Sequence, residues 1–525
     1  MMLKIFREIL KVCILVALIG VSEGFADEVE VKIKLISFSP ARVSIEGKFL
    51  KGQSVGKEIS FLRNIADVSG LGERIEEFSL FGLDGKPIEV KKLIGGEYQA
   101  DESPTAWKSI IRVDTPAKLT DSTHISWLTE THGLLMLADL LPKFVTEPKA
   151  TIFNVDFELP ADFQILSTSP PFAEVVSMKG NLSAQLKNLP KFNVRDAENA
   201  VFLIGKNLRT KSFWINNEYG GRQFDFATVG EWKFTDEEAF GQIQTLIKEY
   251  HQTIGSLSNW KTNIILLPFP QENNNPERWR AETRGATVTI ISGDLPFKSQ
   301  AVQRLSEQLR HELFHLWMPN TLAFSGNYDW FYEGFSIYHA LRTGVELGQI
   351  RFEDFLNTLS QAHRIEQMMS EANKNSLIEV SGKRWAGSSN FIYAKGLAVA
   401  FLCDIALLKQ SKGKVGLKNI FRKIYNEHRI FQSAQPFNLN PVTDGNKAIL
   451  SILKTYPELN VIIKNYIEGK SKIEWTNELN TVGIEQEKND FGVQLKVLAK
   501  PNGRQKDLLD KLGYNQWRKI GQKTK

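Results

Sequence analysis

At 525 residues the chain is longer than one compact core organises, and at roughly 150 residues per domain it reads as about three domains. Apolar residues make up 42% and charged residues 24%, with no low-complexity tract and no internal repeat, which excludes a disordered or solenoid chain. A formal net charge of +5 is too mild to imply nucleic acid as a partner.

The first 26 residues differ from the rest. Lys4, Arg7 and Lys11 precede an apolar run from Val12 to Val21, and Gly24-Phe25-Ala26 follows with small residues at the cleavage positions, so residues 1–26 read as a secretory signal. That run of ten residues falls short of the ~17 needed to cross a bilayer, so no stable membrane anchor is expected and the protein reads as exported, periplasmic or secreted. Of the two cysteines, Cys13 leaves with the signal and Cys403 remains. The exported chain can form no internal disulfide, and any metal must be held by histidines and carboxylates.

From 27 to 210 the period is two: Val29, Val31, Ile33 and Leu35 alternate with polar residues, as do Phe153, Val155, Phe157 and Leu159. This predicts an N-terminal antiparallel β domain, punctuated at Ser169-Pro170-Pro171 and Leu189-Pro190. Between Thr235 and Gly255 the period becomes helical, with Thr235 and Glu238 spaced as a capping box. Strands follow over Thr262–Leu267 and Ala286–Ser292, then a helix from about Gln300 to Trp317. A second helix runs from about Trp330 to Arg342, and a third, about Asn390 to Lys409, is apolar on nearly all faces and therefore central. Residues 211–411 thus form a second domain, and 412–525 a C-terminal α-helical domain. The fold class is multidomain α+β.

The first of these helices carries His311-Glu312-Leu313-Phe314-His315. At 3.6 residues per turn both imidazoles project from one face and can reach one ion, with Glu312 beside it. The alternative is a solvated helix face, but Leu313, Phe314, Leu316 and Trp317 surround the triplet, and an unpaired glutamate there would be costly. A catalytic zinc takes three protein ligands and keeps one position open, so a third ligand is needed downstream. Glu333, in Trp330-Phe331-Tyr332-Glu333-Gly334-Phe335, is the candidate. Alone it would read as a first-turn acid stabilised by the helix dipole; the histidines favour the ligand role. Histidines 124, 132, 251, 339, 363 and 428 have no ligand spacing and read as structural or surface.

HELFHLW followed by WFYEGFSIY resembles the glutamate-zincin metallopeptidases, that is, the aminopeptidase N and leukotriene hydrolase family and the related glycyl aminopeptidases. The resemblance implies a thermolysin-like zinc catalytic domain over 211–411, one Zn2+ per chain on His311, His315 and Glu333, and a peptide or protein substrate. It implies that Glu312 is the general base and that Tyr393, in Tyr393-Ala394-Lys395-Gly396 sixty residues after Glu333, stabilises the oxyanion. Without that match, a tyrosine in an apolar helix reads as core. Looser matches are Leu141-Pro142-Lys143-Phe144 with Pro148-Lys149-Ala150, and Tyr466-Ile467-Glu468-Gly469.

Two departures qualify the likeness. Seventeen residues separate His315 from Glu333, one fewer than is common in the aminopeptidase N branch. The larger is that Arg284-Gly285-Ala286-Thr287-Val288-Thr289 falls where that branch carries Gly-Ala-Met-Glu-Asn, which puts Val288 in place of the glutamate that holds the substrate's amine. Glu282, or an acid of the β domain, could substitute. The expectation is an exported, aminopeptidase-like zinc peptidase. The alternatives are an endopeptidase or epoxide-type hydrolase needing no free N-terminus, and a non-catalytic peptide-binding scaffold. No residue pattern points to an oligomeric state.

Overall fold

In the computed structural model, residues 27–50, 55–145, 151–171, 191–217, 220–271, 279–369, 374–430, 442–489 and 492–514 are described. Residues 1–26, expected to be a signal, and Leu189-Pro190 and Pro148-Lys149-Ala150 lie outside them. The period-two runs become strands of a seven-stranded sheet, in the order Phe192–Val194, Thr151–Glu158, Asp27–Phe38, Ala41–Phe49, Ala106–Arg112, Ile75–Phe81 and Pro87–Ile88. Its pairings are antiparallel except one, since Asp27–Phe38 runs parallel to Thr151–Glu158. The predicted antiparallel sheet is therefore mixed at that pair, because the two runs are joined by a long excursion and not by a hairpin.

A four-stranded sheet of Trp127–Leu128, His132–Met136, Val201–Gly205 and Gln164–Ser167 lies beneath. Strands alternate the faces their side chains cover. Leu135, Phe202 and Ile204 accordingly pack with Val29, Val31 and Val43 of the larger sheet, while Leu134, Met136, Val201 and Leu203 pack the other way, against Ala227, Ile265, Leu267 and Ile291. Burial on both faces explains why Val201–Ile204 is apolar throughout rather than alternating.

The second of those partner sets belongs to a five-stranded sheet: β1 (Arg209–Asn217), β2 (Gly220–Thr228), β3 (Lys261–Pro268), β4 (Trp279–Arg284) and β5 (Thr287–Ser292), in the order β1-β2-β3-β5-β4. β4 is the edge strand on the β5 side, antiparallel to β5 through a turn at Gly285-Ala286. Helix α1 (Asp236–Thr253) opens with the predicted capping box, Thr235 and Glu238 each bonding the other's backbone N–H. Helix α2 (Lys298–His315) then carries the histidines. Trp330–Phe335 winds as a π-helix and continues as α3 (Ser336–Glu346). After α4 (Phe352–Met368) comes α5 (Ser389–Gln410), which is long and apolar enough to cross a membrane but has 89% of its most apolar window buried inside the protein. This is the central helix its composition predicted.

One hydrophobic core runs from Phe224 on β2 through α5 to Leu512. It takes in α6 (Leu417–His428), α7 (Gly445–Leu453) and α8 (Gly503–Lys511). The C-terminal region predicted as helical also contains a β-hairpin, β6 (Ile484–Asn489) and β7 (Gly492–Val497). The hairpin covers α4, with Leu495 buried and its amide donating to the Ser360 hydroxyl, so strands stand here within the region expected to be helical.

The π-turn and α5 meet at two glycines. A methyl group on Gly334 would lie 2.5 Å from Gly396 Cα, and one on Gly396 would lie 2.7 Å from Gly334 Cα and 2.9 Å from the Trp330 carbonyl oxygen. The colliding atoms are backbone on both sides and cannot step aside. This approach sets the spacing between Glu333, next to one glycine, and Tyr393, one turn before the other. Gly396→Ala should therefore lose about 1–3 kcal/mol of stability through overpacking. The check is a thermal melt of the variant, where a midpoint equal to that of the wild type would contradict the close approach.

Candidate active site

α2 brings His311 and His315 to one face, and the π-turn brings Glu333 against them. The nearest nitrogens and oxygens of the three side chains lie within 4.8 Å of one another. Glu333 Oε2 is 3.2 Å from His311 Nε2 and 3.6 Å from His315 Nε2, and the two Nε2 atoms are 3.0 Å apart. His315 Nδ1 is 2.8 Å from the Met318 carbonyl oxygen, which can only accept. The neutral ring therefore carries its proton on Nδ1 and turns a lone pair toward His311 and Glu333.

Glu333 Oε2 and His311 Nδ1 are buried and make no hydrogen bond. Buried polar atoms are normally paired, and a carboxylate oxygen facing two imidazole nitrogens without a donor has the surroundings of a missing cation. Two histidines and one carboxylate suit zinc by ligand type and number. The residues fit the metal.

Burial by itself would raise the Glu333 carboxyl. The Arg384 charge first, and then the two histidines beside it, outweigh burial and hold it well below the usual carboxylate range. Burial raises the Tyr393 hydroxyl well above the ordinary phenol, and the neighbouring Glu333 charge adds to that. Tyr393 is therefore a neutral hydroxyl at physiological pH, able to donate.

Glu312 is buried beside the pair, and its charge acts on both His315 and Tyr393. The Thr283 hydroxyl on β4 lies 2.7 Å from Glu312 Oε2 and 2.8 Å from its backbone oxygen. Asn320, just beyond α2, donates to the carbonyls of Thr283 and Gly285 at 3.0 and 2.9 Å. The edge strand is thus held by Glu312 in the last turn of α2 and by Asn320 just beyond it.

That register corrects the expectation for Val288. Val288 is fully buried on β5, an inner strand paired on both sides, and packs into the main core. It cannot face a substrate. The Gly-Ala pair at 285–286 is a hairpin turn and not the start of the edge strand, and the strand beside α2 is β4. Its Glu282, next to Thr283, presents the carboxylate. Glu282 Oε2 is 2.9 Å from His124 Nδ1 and Oε1 is 3.0 Å from Arg284 Nη2. His124, read as structural or surface, is buried and pairs with this carboxylate. Burial raises the Glu282 carboxyl, but Arg284 and His124 bring it below its ordinary value.

Sequence reasoning missed Thr283, His124 and Arg384. Arg384 Nη1 is 2.6 Å from Glu333 Oε1, and its Nη2 donates to the Tyr393 hydroxyl at 2.8 Å. An arginine 51 residues beyond the glutamate it pairs carries no local signal, and only the fold brings them together.

No protein-family model matches the chain, and no curated protein matches it. Solved structures do. An aminopeptidase N family protein from Idiomarina loihiensis superposes with a TM-score of 0.71 at 15% identity, over 91% of this chain and 82% of that one. An M1 zinc metallopeptidase from Deinococcus radiodurans, in a mutant form bound to Tyr-Ser-Ala, superposes with a TM-score of 0.54 at 9% identity, over 86% and 95% of the two chains. The same enzyme without that mutation gives 0.52 at 11% identity. The chain thus has the multidomain fold of the gluzincin aminopeptidases and resembles that class in architecture. At these identities the likeness is one of fold.

The metal reading predicts that Glu333→Ala weakens zinc binding at least 100-fold, since a site of two ligands is incomplete. Competition against a chromophoric chelator measures it. Affinity unchanged by the substitution would remove Glu333 from the site.

Proposed function

We propose that the protein is an exported zinc-dependent aminopeptidase. The observation that carries this reading is the convergence of an acceptor trio, His311, His315 and Glu333, with a buried glutamate that the edge strand holds by a hydroxyl. The aminopeptidase fold of the structural neighbours supports it, and so does the Tyr-Ser-Ala peptide bound to one of them. Export rests on the signal pattern of residues 1–26.

His311, His315 and Glu333 would hold one zinc ion. When bound, the ion supplies Lewis acidity to the scissile carbonyl and makes the neighbouring water more acidic. The chain's own groups do the rest. Glu312, oriented by Thr283, takes a proton from the attacking water and returns it to the leaving amine. The Tyr393 hydroxyl donates to the carbonyl oxygen as its charge grows. The peptide lies along β4, whose free edge offers backbone groups for an extended chain. Glu282 receives the substrate's ammonium, the role that the resemblance gives to an edge-strand glutamate.

An endopeptidase is the second reading, and the specific observation behind it is that Glu282 is already paired on both oxygens, by His124 and Arg284. Each charge-assisted contact that an ammonium must share or displace lowers its net gain below the ~1.5–3 kcal/mol of a free pair.

Glu312→Gln should retain zinc and lose nearly all hydrolysis, because the residue is a base and not a ligand. Metal analysis alongside peptide turnover checks this, and zinc lost together with activity would contradict the role. Glu282→Ala should reduce the preference for a free over an acetylated N-terminus by about 10-fold or more, which is one charge-assisted hydrogen bond. The comparison is kcat/KM for one peptide in both forms. A preference that survives the substitution would assign the ammonium to another residue.

A further inference from the structure

Among the described residues, Arg384 is the one arginine or lysine that touches the trio. It stands on a short turn, Arg384–Ala386, ahead of α5, with its side chain 15% exposed. Besides Glu333 and Tyr393 it reaches the Tyr332 hydroxyl at 3.2 Å and Asp329 Oδ1 at 3.5 Å. Its plane lies against the rings of Trp385, Tyr332 and Tyr393, 4.6 to 5.8 Å from their centres. Rings on several sides and two carboxylates leave the guanidinium little freedom to move.

The two nitrogens of its fork do different work. Nη1 takes Glu333 Oε1, which leaves Oε2 as the oxygen that faces the histidines without a partner. Nη2 donates to the Tyr393 oxygen. A hydroxyl that accepts there must turn its own proton away from Arg384. One rigid planar group therefore fixes both the ligand oxygen and the hydroxyl donor, which a lysine's point charge could not do.

Resting on the zinc-peptidase reading above, we infer that Arg384 is the positioning residue that ties the metal-holding carboxylate to the Tyr393 hydroxyl. It touches neither the substrate nor the ion and acts through both partners. Two effects on zinc oppose each other: the cation repels the ion, while the fixed carboxylate receives it. Losing an outer partner of a metal ligand typically costs 10- to 100-fold in affinity, so orientation outweighs repulsion.

The test uses the full-length zinc protein with Arg384→Gln, Tyr393→Phe and the double variant, measuring zinc affinity by chelator competition and kcat and KM at saturating zinc. Arg384→Gln should weaken zinc about 10- to 100-fold, whereas Tyr393→Phe should leave zinc affinity within about threefold. Arg384→Gln should also lower kcat about 10-fold or more with little change in KM. Tyr393→Phe should lower it about 100-fold, and the double variant should be no slower than Tyr393→Phe within about threefold. A purely structural arginine would instead give losses that multiply. Multiplying losses, or zinc affinity unchanged in Arg384→Gln, overturn the inference. If Arg384→Gln does not fold, Arg384→Lys keeps the charge on Glu333 and loses the fork. Its kcat should fall and that fall should vanish in the Tyr393→Phe background; a kcat equal to that of the wild type overturns the inference. A wild type that binds zinc without cleaving peptides fails the functional reading alone, and the zinc comparison then decides for Arg384. A wild type that binds no zinc overturns both.

Discussion

The site depends on a carboxylate oxygen and two imidazoles brought together inside the protein, the oxygen without a hydrogen-bond partner of its own. Taking Glu333 out of water costs several kcal/mol unless a cation compensates. Arg384 compensates on one oxygen only. The other oxygen is left to the histidines, and the arrangement persists because two rigid elements hold it. α2 fixes the imidazoles one turn apart, and the π-turn is pressed onto α5 by the contact of Gly334 with Gly396. The same contact places Tyr393 within reach of Arg384. Packing precision in the core thus becomes geometry at the site.

The sheet supplies the other half. β4 stands at its edge because the turn at Gly285-Ala286 sends the chain back inward as β5, and Asn320 binds the carbonyls on either side of that turn's start. The edge strand's side chains then divide their contacts: Thr283 meets Glu312, and Glu282 meets His124, which belongs to the N-terminal β region. The contact from His124 to Glu282 and the apolar layer of Leu134, Leu203, Ile265 and Leu267 join the two parts of the chain on one side of the site.

Much of the site was legible in the sequence because it is local. His311, Glu312 and His315 share one helical turn, Glu333 opens the next element, and an apolar setting made each of them conspicuous. α2 and α5 fell within a few residues of their expected ends because hydrophobic period and length agree there. β4 was not legible. Trp279-Arg280-Ala281-Glu282-Thr283-Arg284 is mostly charged or polar, as an edge strand beside a site must be, and so it has no apolar alternation to detect. Missing it assigned the edge position to Val288, which is buried on the inner strand β5. The hairpin at 484–497 was missed for a similar reason: its isolated strands are short and half polar, and their apolar face exists only against α4. Arg384 and His124 depend on contacts across 51 and 158 residues, which no periodicity encodes.

The central claim is that this arrangement removes residues from the free N-termini of peptides by means of a zinc ion that the trio holds. The most direct measurement is mass spectrometry of the products that the zinc-loaded protein releases from a mixed peptide library, with the Glu312→Gln protein as control. The account predicts ladders shortened one residue at a time from the N-terminus, absent in the control and abolished by chelation. Cleavage within acetylated peptides at rates equal to those for free ones, or ladders that persist in the control, would contradict it.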